Sequence, residues 1–410
     1  MTKRLFDEDA YLRSFTAKVE SCMKCPGEDG DAVRYFVTLD ATAFFPEEGG
    51  QTPDTGLLGG FRVVDVQIKD DVITHTIEVS EAAPLAQVDA SAGGAVPFKA
   101  GDAVTGEIDW DKRYSNMQQH TGEHVFSGLV HSRFGYDNVG FHLSDSVVTM
   151  DYSGPITSEE IRELEREANE VIVRQIPVET GYPDETTLRS LDYRCKKELK
   201  GAIRIVTIPG VDTCACCAPH LHNTGEIGLL KVTDVQNYKG GVRVFILCGF
   251  RALEDYRMSI DALREISHAT SAPLFETPEA VTRLKDELER AKYATGEAVR
   301  RLLSLQISML DSNETGPIIF TEGADTTSIR EAVNTMTGQH KGYCGIFNGN
   351  DEAGYSFIIG SRDSDCNIIA KKLREKLDAK CGGKSAMIQG QVAAPREEIT
   401  GLIRLQDCNK

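Results

Sequence analysis

The chain has 410 residues, 40% of them hydrophobic, which is material for two or three ordinary cores. Its 45 Lys and Arg face 63 Asp and Glu, a formal charge of −18, so a uniformly cationic nucleic-acid coat is excluded and any such contact must come from local basic patches. No apolar run approaches the ~18 residues of a membrane span, and the opening MTKRLFDEDAYLRSF lacks the apolar core of a secretory signal. A soluble, cytoplasmic protein with no membrane partner is expected.

Residues 1–105 read as β-rich. RYFVTLD (Arg34–Asp40), FRVVDVQI (Phe61–Ile68) and VITHTIEV (Val72–Val79) carry β-branched and aromatic residues between Gly- and Pro-containing turns, and a small β-barrel is the economical expectation. Residues 106–252 mix helix, from Asn116 to His131 and after Ser158, with strands at Val147–Tyr152, Ala202–Ile208 and Arg243–Phe250. Residues 253–311 are helical and charged, interrupted at Ala272-Pro273. Val281, Leu284, Leu288, Ala291, Ala298, Leu302, Leu305 and Met309 follow a heptad that fits a dimer stalk or an intramolecular hairpin. Residues 312–410 predict a separate α/β module, with strands at Pro317–Phe320 and Ser356–Gly360 and helices in SIREAVNTM and CNIIAKKLREKLDAK. The fold class is therefore α+β, in four segments: 1–105, 106–252, 253–311 and 312–410.

Eleven cysteines, an odd number in a chain this long, read as reduced thiols rather than a disulfide framework. The clustered ones are candidates for metal binding. His120 and His124 stand at i and i+4, so on a helix both imidazoles reach one ion. Cys216 and His220 add a thiolate and a third imidazole at C-x₃-H spacing, and the four make a borderline-soft set suited to tetrahedral Zn²⁺. Two other uses of these residues stay open. His120-x-x-Glu123-His124 matches the inverted zinc-peptidase pattern, with Glu123 as general base. Cys22, Cys25, Cys214 and Cys217 could instead form a structural Cys₄ site.

Three separated motifs, in order, carry a family resemblance. Asp40–Gln51 (DATAFFPEEGGQ), Met117–His124 (MQQHTGEH) and Ile208–Gly228 (IPGVDTCACCAPHLHNTGEIG) resemble the editing domain of alanyl-tRNA synthetase and the free-standing AlaX editing proteins. Cys381–Gly390 (CGGKSAMIQG) resembles the signature of the DHHA1 domain that ends the synthetases and the long AlaX proteins. The whole chain thus resembles a long-form AlaX and carries none of the class II aminoacylation motifs. It departs from the family at Cys217, Ala218 and Pro219, which stand where glycines and a threonine are usual.

The resemblance implies a trans-acting deacylase for alanine tRNA mischarged with serine and, to a lesser extent, glycine. It implies Zn²⁺ held by His120, His124, Cys216 and His220. Because four donors complete a tetrahedral shell, zinc is expected to organise the pocket, with a nearby water attacking the ester and no catalytic side chain assigned. Thr42, Gly49, Gly50 and Gln51 are the implied substrate residues; turn geometry explains the glycines equally well. Arg194, Lys196, Lys197, Lys200 and Lys384 lie in net-basic stretches expected to meet tRNA phosphates. A homodimer through the helical connector and the terminal module is expected. A non-catalytic tRNA-binding protein is the reading from another class. His75 and His131 read as ordinary structural residues, while His142 and His222 are weak pocket candidates.

Overall fold

The computed structural model describes residues 1–25, 32–80, 97–195 and 202–407. Two compact units divide the chain, Met1–Ala262 and Leu263–Lys410. The fold is mixed α+β, with several separate sheets.

In the first unit, Ser14–Lys24 and Ala103–Ile108 alternate inward apolar with outward polar residues, so each presents one apolar face to a shared core. They belong to a closed six-stranded barrel. Its order is Ser14–Lys24, Ala32–Leu39, Val72–Ser80, Phe61–Lys69, Gly56–Leu58, Ala103–Ile108, and back to the first. Phe15, Val37, Leu39, Phe44, Val63, Val66, Ile73 and Ile77 fill it.

The barrel leads directly into a 25-residue helix, Trp110–Phe134. Asp109 caps its start by accepting from the Lys112 N–H, and Gly135, in the left-handed region, ends it. The helix is longer than the Asn116–His131 expected from the sequence, because its first turn pairs charged residues rather than apolar ones: Arg113 is fully buried against Asp54. Its middle is buried on all sides although Gln118, Gln119, Thr121, Glu123 and Ser127 are polar. Each of them has partners. Gln119, for example, exchanges two bonds with the backbone of Cys248, at 2.7 and 2.9 Å.

A four-stranded antiparallel sheet packs with this helix, in the order Leu230–Tyr238, Gly241–Cys248, Val148–Tyr152, Asn138–Leu143. The helix Ser158–Val173, closed by a Thr157/Glu160 capping box, joins the same core. A smaller sheet of Glu179–Gly181, Ile205–Ile208 and Asp212–Ala215 delivers the chain to the loop that follows. Two strand expectations shift. The strand expected over Arg243–Phe250 stops at Cys248, where Gly249 starts the helix Gly249–Thr270, and the one expected over Ala202–Ile208 begins at Ile205.

In the second unit, the helix Thr277–Ser308 buries Leu303 and Ile307 against Ile329, Val333 and Met336 of the helix Thr326–Gln339. The heptad positions are instead exposed: Leu284 keeps 47% of its surface, Leu288 54% and Leu305 58%. The intramolecular hairpin that would cover them is therefore corrected. The adjoining face, carrying Leu303 and Ile307, won the packing. The five-stranded sheet runs Ile318–Thr321, Cys344–Asn350, Gly354–Gly360, Met387–Val392, Lys380–Lys384, with only the first pair parallel. The glycine-containing stretch Cys381–Gly390 is the hairpin of the last two strands, and Lys384 sits exposed at its turn. Among the described residues, no helix is long and apolar enough to cross a membrane.

Candidate metal centre

The helical spacing puts His120 and His124 on one face, one turn apart, with ring centroids 5.5 Å from each other. The loop after Asp212–Ala215 brings the other pair. His220 lies 4.9 Å from the His120 ring and 4.6 Å from that of His124. The Cys216 sulfur is 3.5 Å from His120 Nε2 and 3.3 Å from His220 Nε2. All four donor atoms fall within 4.8 Å of one another, and the three imidazoles are buried. With Zn–N near 2.0–2.1 Å and Zn–S near 2.3 Å, a tetrahedral N···S edge is about 3.5 Å. The donor set and its edges fit zinc.

Each imidazole is also held from behind. His120 Nδ1 meets Gln51 Oε1 at 2.8 Å, His124 Nδ1 meets Asp212 Oδ2 at 2.8 Å, and His220 Nδ1 meets Thr121 Oγ1 at 3.1 Å. An acceptor at Nδ1 fixes the tautomer that leaves Nε2 bare for a metal. Of these three partners, only Gln51 was singled out from the sequence. Asp212 sits inside the quoted motif, and a search for what each ligating imidazole must donate to would have picked it out.

Electrostatics single out one thiol of the three in CACC. Burial opposes ionisation of Cys216, but the His120 and His220 imidazoles outweigh it and hold that thiol well below its ordinary range. Burial pushes Cys214 and Cys217 up instead, so they stay protonated. Burial drives His220 down to about 3. At His124 the Asp212 hydrogen bond and the neighbouring Cys216 and Glu123 overcome burial and raise it to about 9.

The glycine-rich loop is stitched to the strand Asn138–Leu143, with Leu143 N–H donating to Gly50 O at 2.7 Å and Thr52 N–H to Leu143 O at 3.1 Å. Gly50 has φ +87°, and a Cβ there would lie 2.4 Å from Phe141 O. Close approach demands glycine at that position. Gly49, with φ +65°, sits against Cys217 Sγ. Gly50 thus lets the loop close on the strand Asn138–Leu143, while Gly49 faces the loop that carries Cys216 and His220. Gln51 is buried beside the centre, and its Nε2 has no hydrogen-bond partner.

Thr42 is fully buried. His75 gives its Nδ1–H to Val37 O at 3.1 Å, and burial lowers its pKa to about 4, so Nε2 is bare. Thr42 therefore donates its hydroxyl to His75 Nε2 at 2.8 Å and accepts from Phe44 N–H at 3.1 Å. Expected as a pocket group, Thr42 is thus tied to the barrel strand that carries His75 and to its own turn.

Arg194 is corrected. Expected at phosphates, its side chain is only 10% exposed and is paired with Asp212. Arg204, at the other end of that basic stretch, is also turned inward, giving Nη1 to the carbonyls of Cys216 (3.1 Å) and Ala218 (2.8 Å). Lys196, Lys197 and Lys200 lie outside the described residues. The two groups of ligand-type residues gathered by the fold contain neither Cys22 nor Cys25, which sit at the far end of a barrel strand and just beyond it. The Cys₄ site is not formed among the described residues. Of the weak candidates, His222 stacks on Tyr11 at 3.9 Å, outside the donor set, and His142 lies in the strand Asn138–Leu143.

The sequence profile of the "threonyl and alanyl tRNA synthetase second additional domain" matches residues 203–244, which include Cys216 and His220. The alanyl-tRNA editing protein AlaX-L of Pyrococcus horikoshii is 31% identical, over 70% of this chain and 69% of its own length. The chain belongs to the alanyl-tRNA editing protein family. Alanine–tRNA ligases are similar as well: that of Ignicoccus hospitalis is 34% identical over 74% of this chain, and that of Pyrococcus abyssi 27% over 98%. This editing-family chain spans 32% and 44% of the lengths of those two ligases.

Proposed function

We propose that this chain is a trans-acting aminoacyl-tRNA deacylase that clears serine, and to a lesser extent glycine, from alanine tRNA. The observation that carries the reading is the convergence of three imidazoles and one ionisable thiol from a helix and a distant loop, in a member of the alanyl-tRNA editing family. Water adds to the ester carbonyl, the bond to the terminal ribose oxygen breaks, and free amino acid and a ribose hydroxyl leave. A synthetase pocket sized for alanine excludes glycine and serine only weakly, which is where hydrolytic editing is needed.

His120, His124, Cys216 and His220 would hold Zn²⁺. When bound, the ion would order the pocket and attract the substrate's ester oxygen. The chain's own part is orientation. Gln51 keeps His120 in its tautomer through Oε1 and offers its unpartnered Nε2–H to a substrate oxygen. A hydrogen bond of this kind is worth roughly 0.5–1.5 kcal/mol net. Cys216 and His220, rather than a helical carboxylate, complete the donor set, which favours this reading over a zinc peptidase built on His120, Glu123 and His124.

Within this reading the four segments 1–105, 106–252, 253–311 and 312–410 are barrel, editing domain, helical connector and DHHA1-like domain. Lys384 at the exposed hairpin turn, together with Lys196, Lys197 and Lys200, supplies phosphate contacts. The exposed apolar positions Leu284, Leu288 and Leu305 are the surface that a homodimer through the connector would cover.

Incubation of the zinc-loaded protein with seryl-, glycyl- and alanyl-charged alanine tRNA, and with casein, tests the proposal. The expected result is fast loss of serine, slower loss of glycine, and intact alanyl-tRNA and casein. Binding of seryl-tRNA without hydrolysis would instead identify a non-catalytic binder, and cleavage of casein a peptidase.

A further inference from the structure

Among the described residues, two overlapping groups of ligand-type side chains share His124: His120, His124, Cys216 and His220, and a second of His124, Asp212 and Cys214. Both are mostly buried and both mix nitrogen with sulfur, so a borderline-soft ion has two places to settle. Arg194 separates them. Its Nε donates to Asp212 Oδ1 at 2.7 Å and its Nη2 to Oδ2 at 2.8 Å, a two-pronged pair in a nearly water-free setting. Asp212 Oδ2 also accepts from His124 Nδ1. A carboxylate with both oxygens engaged by a guanidinium is a poor ligand, and the fixed positive charge beside it repels a second cation.

The backbone keeps Arg194 in place. Its N–H donates to Thr213 O at 2.9 Å and its carbonyl accepts from Ala215 N–H at 3.0 Å, so residue 194 lies along the strand that carries Asp212 and Cys214. The Arg194 side chain therefore reaches Asp212 from a neighbour fixed in register rather than from a free surface segment.

The geometry points to Arg194 as a positioning residue that decides which of the two sets takes the metal. It retains Asp212 as the hydrogen-bond acceptor of His124, which turns Nε2 toward Cys216, and it denies Asp212 to the ion. This rests on the metal reading of His120, His124, Cys216 and His220 given above. It assigns to Arg194 a part in metal selection that is independent of tRNA.

Co²⁺ titration of the full chain, without tRNA, tests it through competition with a chromophoric chelator and through the thiolate-to-cobalt absorption band. In the wild-type background, Cys214→Ala leaves affinity and spectrum unchanged. Arg194→Met weakens Co²⁺ binding by about 10- to 100-fold, and in that background Cys214→Ala alters the thiolate band, because the second set has become available. Arg194→Lys keeps the charge without the fork and falls between the two. Arg194→Met with affinity within twofold of wild type and a spectrum indifferent to Cys214 overturns the inference. If Arg194→Met does not fold by circular dichroism, Arg194→Lys is judged by the same criteria. Failure of the wild-type chain to bind Co²⁺ would overturn the metal reading itself, whereas failure of the variants to differ overturns only the role of Arg194.

Discussion

Two of the four candidate metal donors ride on a helix and two on a loop, and the two regions achieve rigidity by different means. His120 and His124 inherit their spacing from the helix repeat, inside a segment buried on every side and capped at both ends. Cys216 and His220 have no such repeat behind them. Their loop is fixed by Arg204 bonding the Cys216 and Ala218 carbonyls, by Cys216 N–H donating to Arg204 O at 3.0 Å, and by Cys216, Cys217 and Ala218 packing on the barrel core. A helix supplies order from sequence-local bonds, whereas a loop must borrow it from partners far along the chain.

The strongest way to break this comparison is to remove a donor from each side. His124→Ala and Cys216→Ala should each lower zinc affinity by well over about 100-fold, since loss of an outer hydrogen-bond partner alone costs about 10- to 100-fold. Zinc content after gel filtration measures it, and seryl-tRNA deacylation should fall in parallel.

Arg204→Ala should unsettle the loop side alone. It leaves two buried carbonyls and Asp7 without their cation, at a cost of about 3–5 kcal/mol. Chemical denaturation of the metal-free protein reads this, and the same experiment on the helix cap variant Asp109→Ala should show only about 1 kcal/mol.

Acid sharpens the contribution of the barrel on which the loop leans. His75 titrates near 4 when folded, against an ordinary 6.5. The unfolded chain therefore takes up the proton first as pH falls, and stability is lost between about pH 6.5 and pH 4, by about 3 kcal/mol. His75→Gln should remove that share of the pH dependence, as seen in unfolding free energies at pH 7 and pH 4.5.

A further effect lies where the two regions touch. A Cβ on Gly128 of the helix would stand 2.4 Å from Val211 O, next to Asp212. Gly128→Ala should cost about 1–3 kcal/mol by overpacking, with a zinc affinity shift that tracks the displacement of Asp212 from His124. An unchanged affinity would mean that the helix and loop adjust independently.

The difference between helix and loop also explains what was legible in the sequence. The convergence of the four candidate donors was legible because their spacings, i to i+4 and C-x₃-H, are local. The barrel strands could be read from alternation. Of the donors' partners only Gln51 stood out, as a substrate residue; the pairing of Asp212 with His124 and Arg194 is set by tertiary register rather than by a repeat. Arg194 read as surface charge for the same reason: net charge along a stretch says nothing of which side chains turn inward, and here both of its flanking arginines do. The Thr42 contact was not legible because its hydrogen-bond partner, His75, lies 33 positions further on, in the barrel strand Val72–Ser80. On the helix Thr277–Ser308, a sound heptad was present but the adjoining face, with Leu303 and Ile307, won the packing.

The separation of the donors along the chain has a consequence for biosynthesis. Cys216 follows His120 by 96 positions, so at about 5–20 residues per second the two helical imidazoles are made roughly 5–20 s before the thiolate. During that interval the nascent polypeptide holds half a centre, and a ribosomal product that stops short of residue 220 never gains the other half.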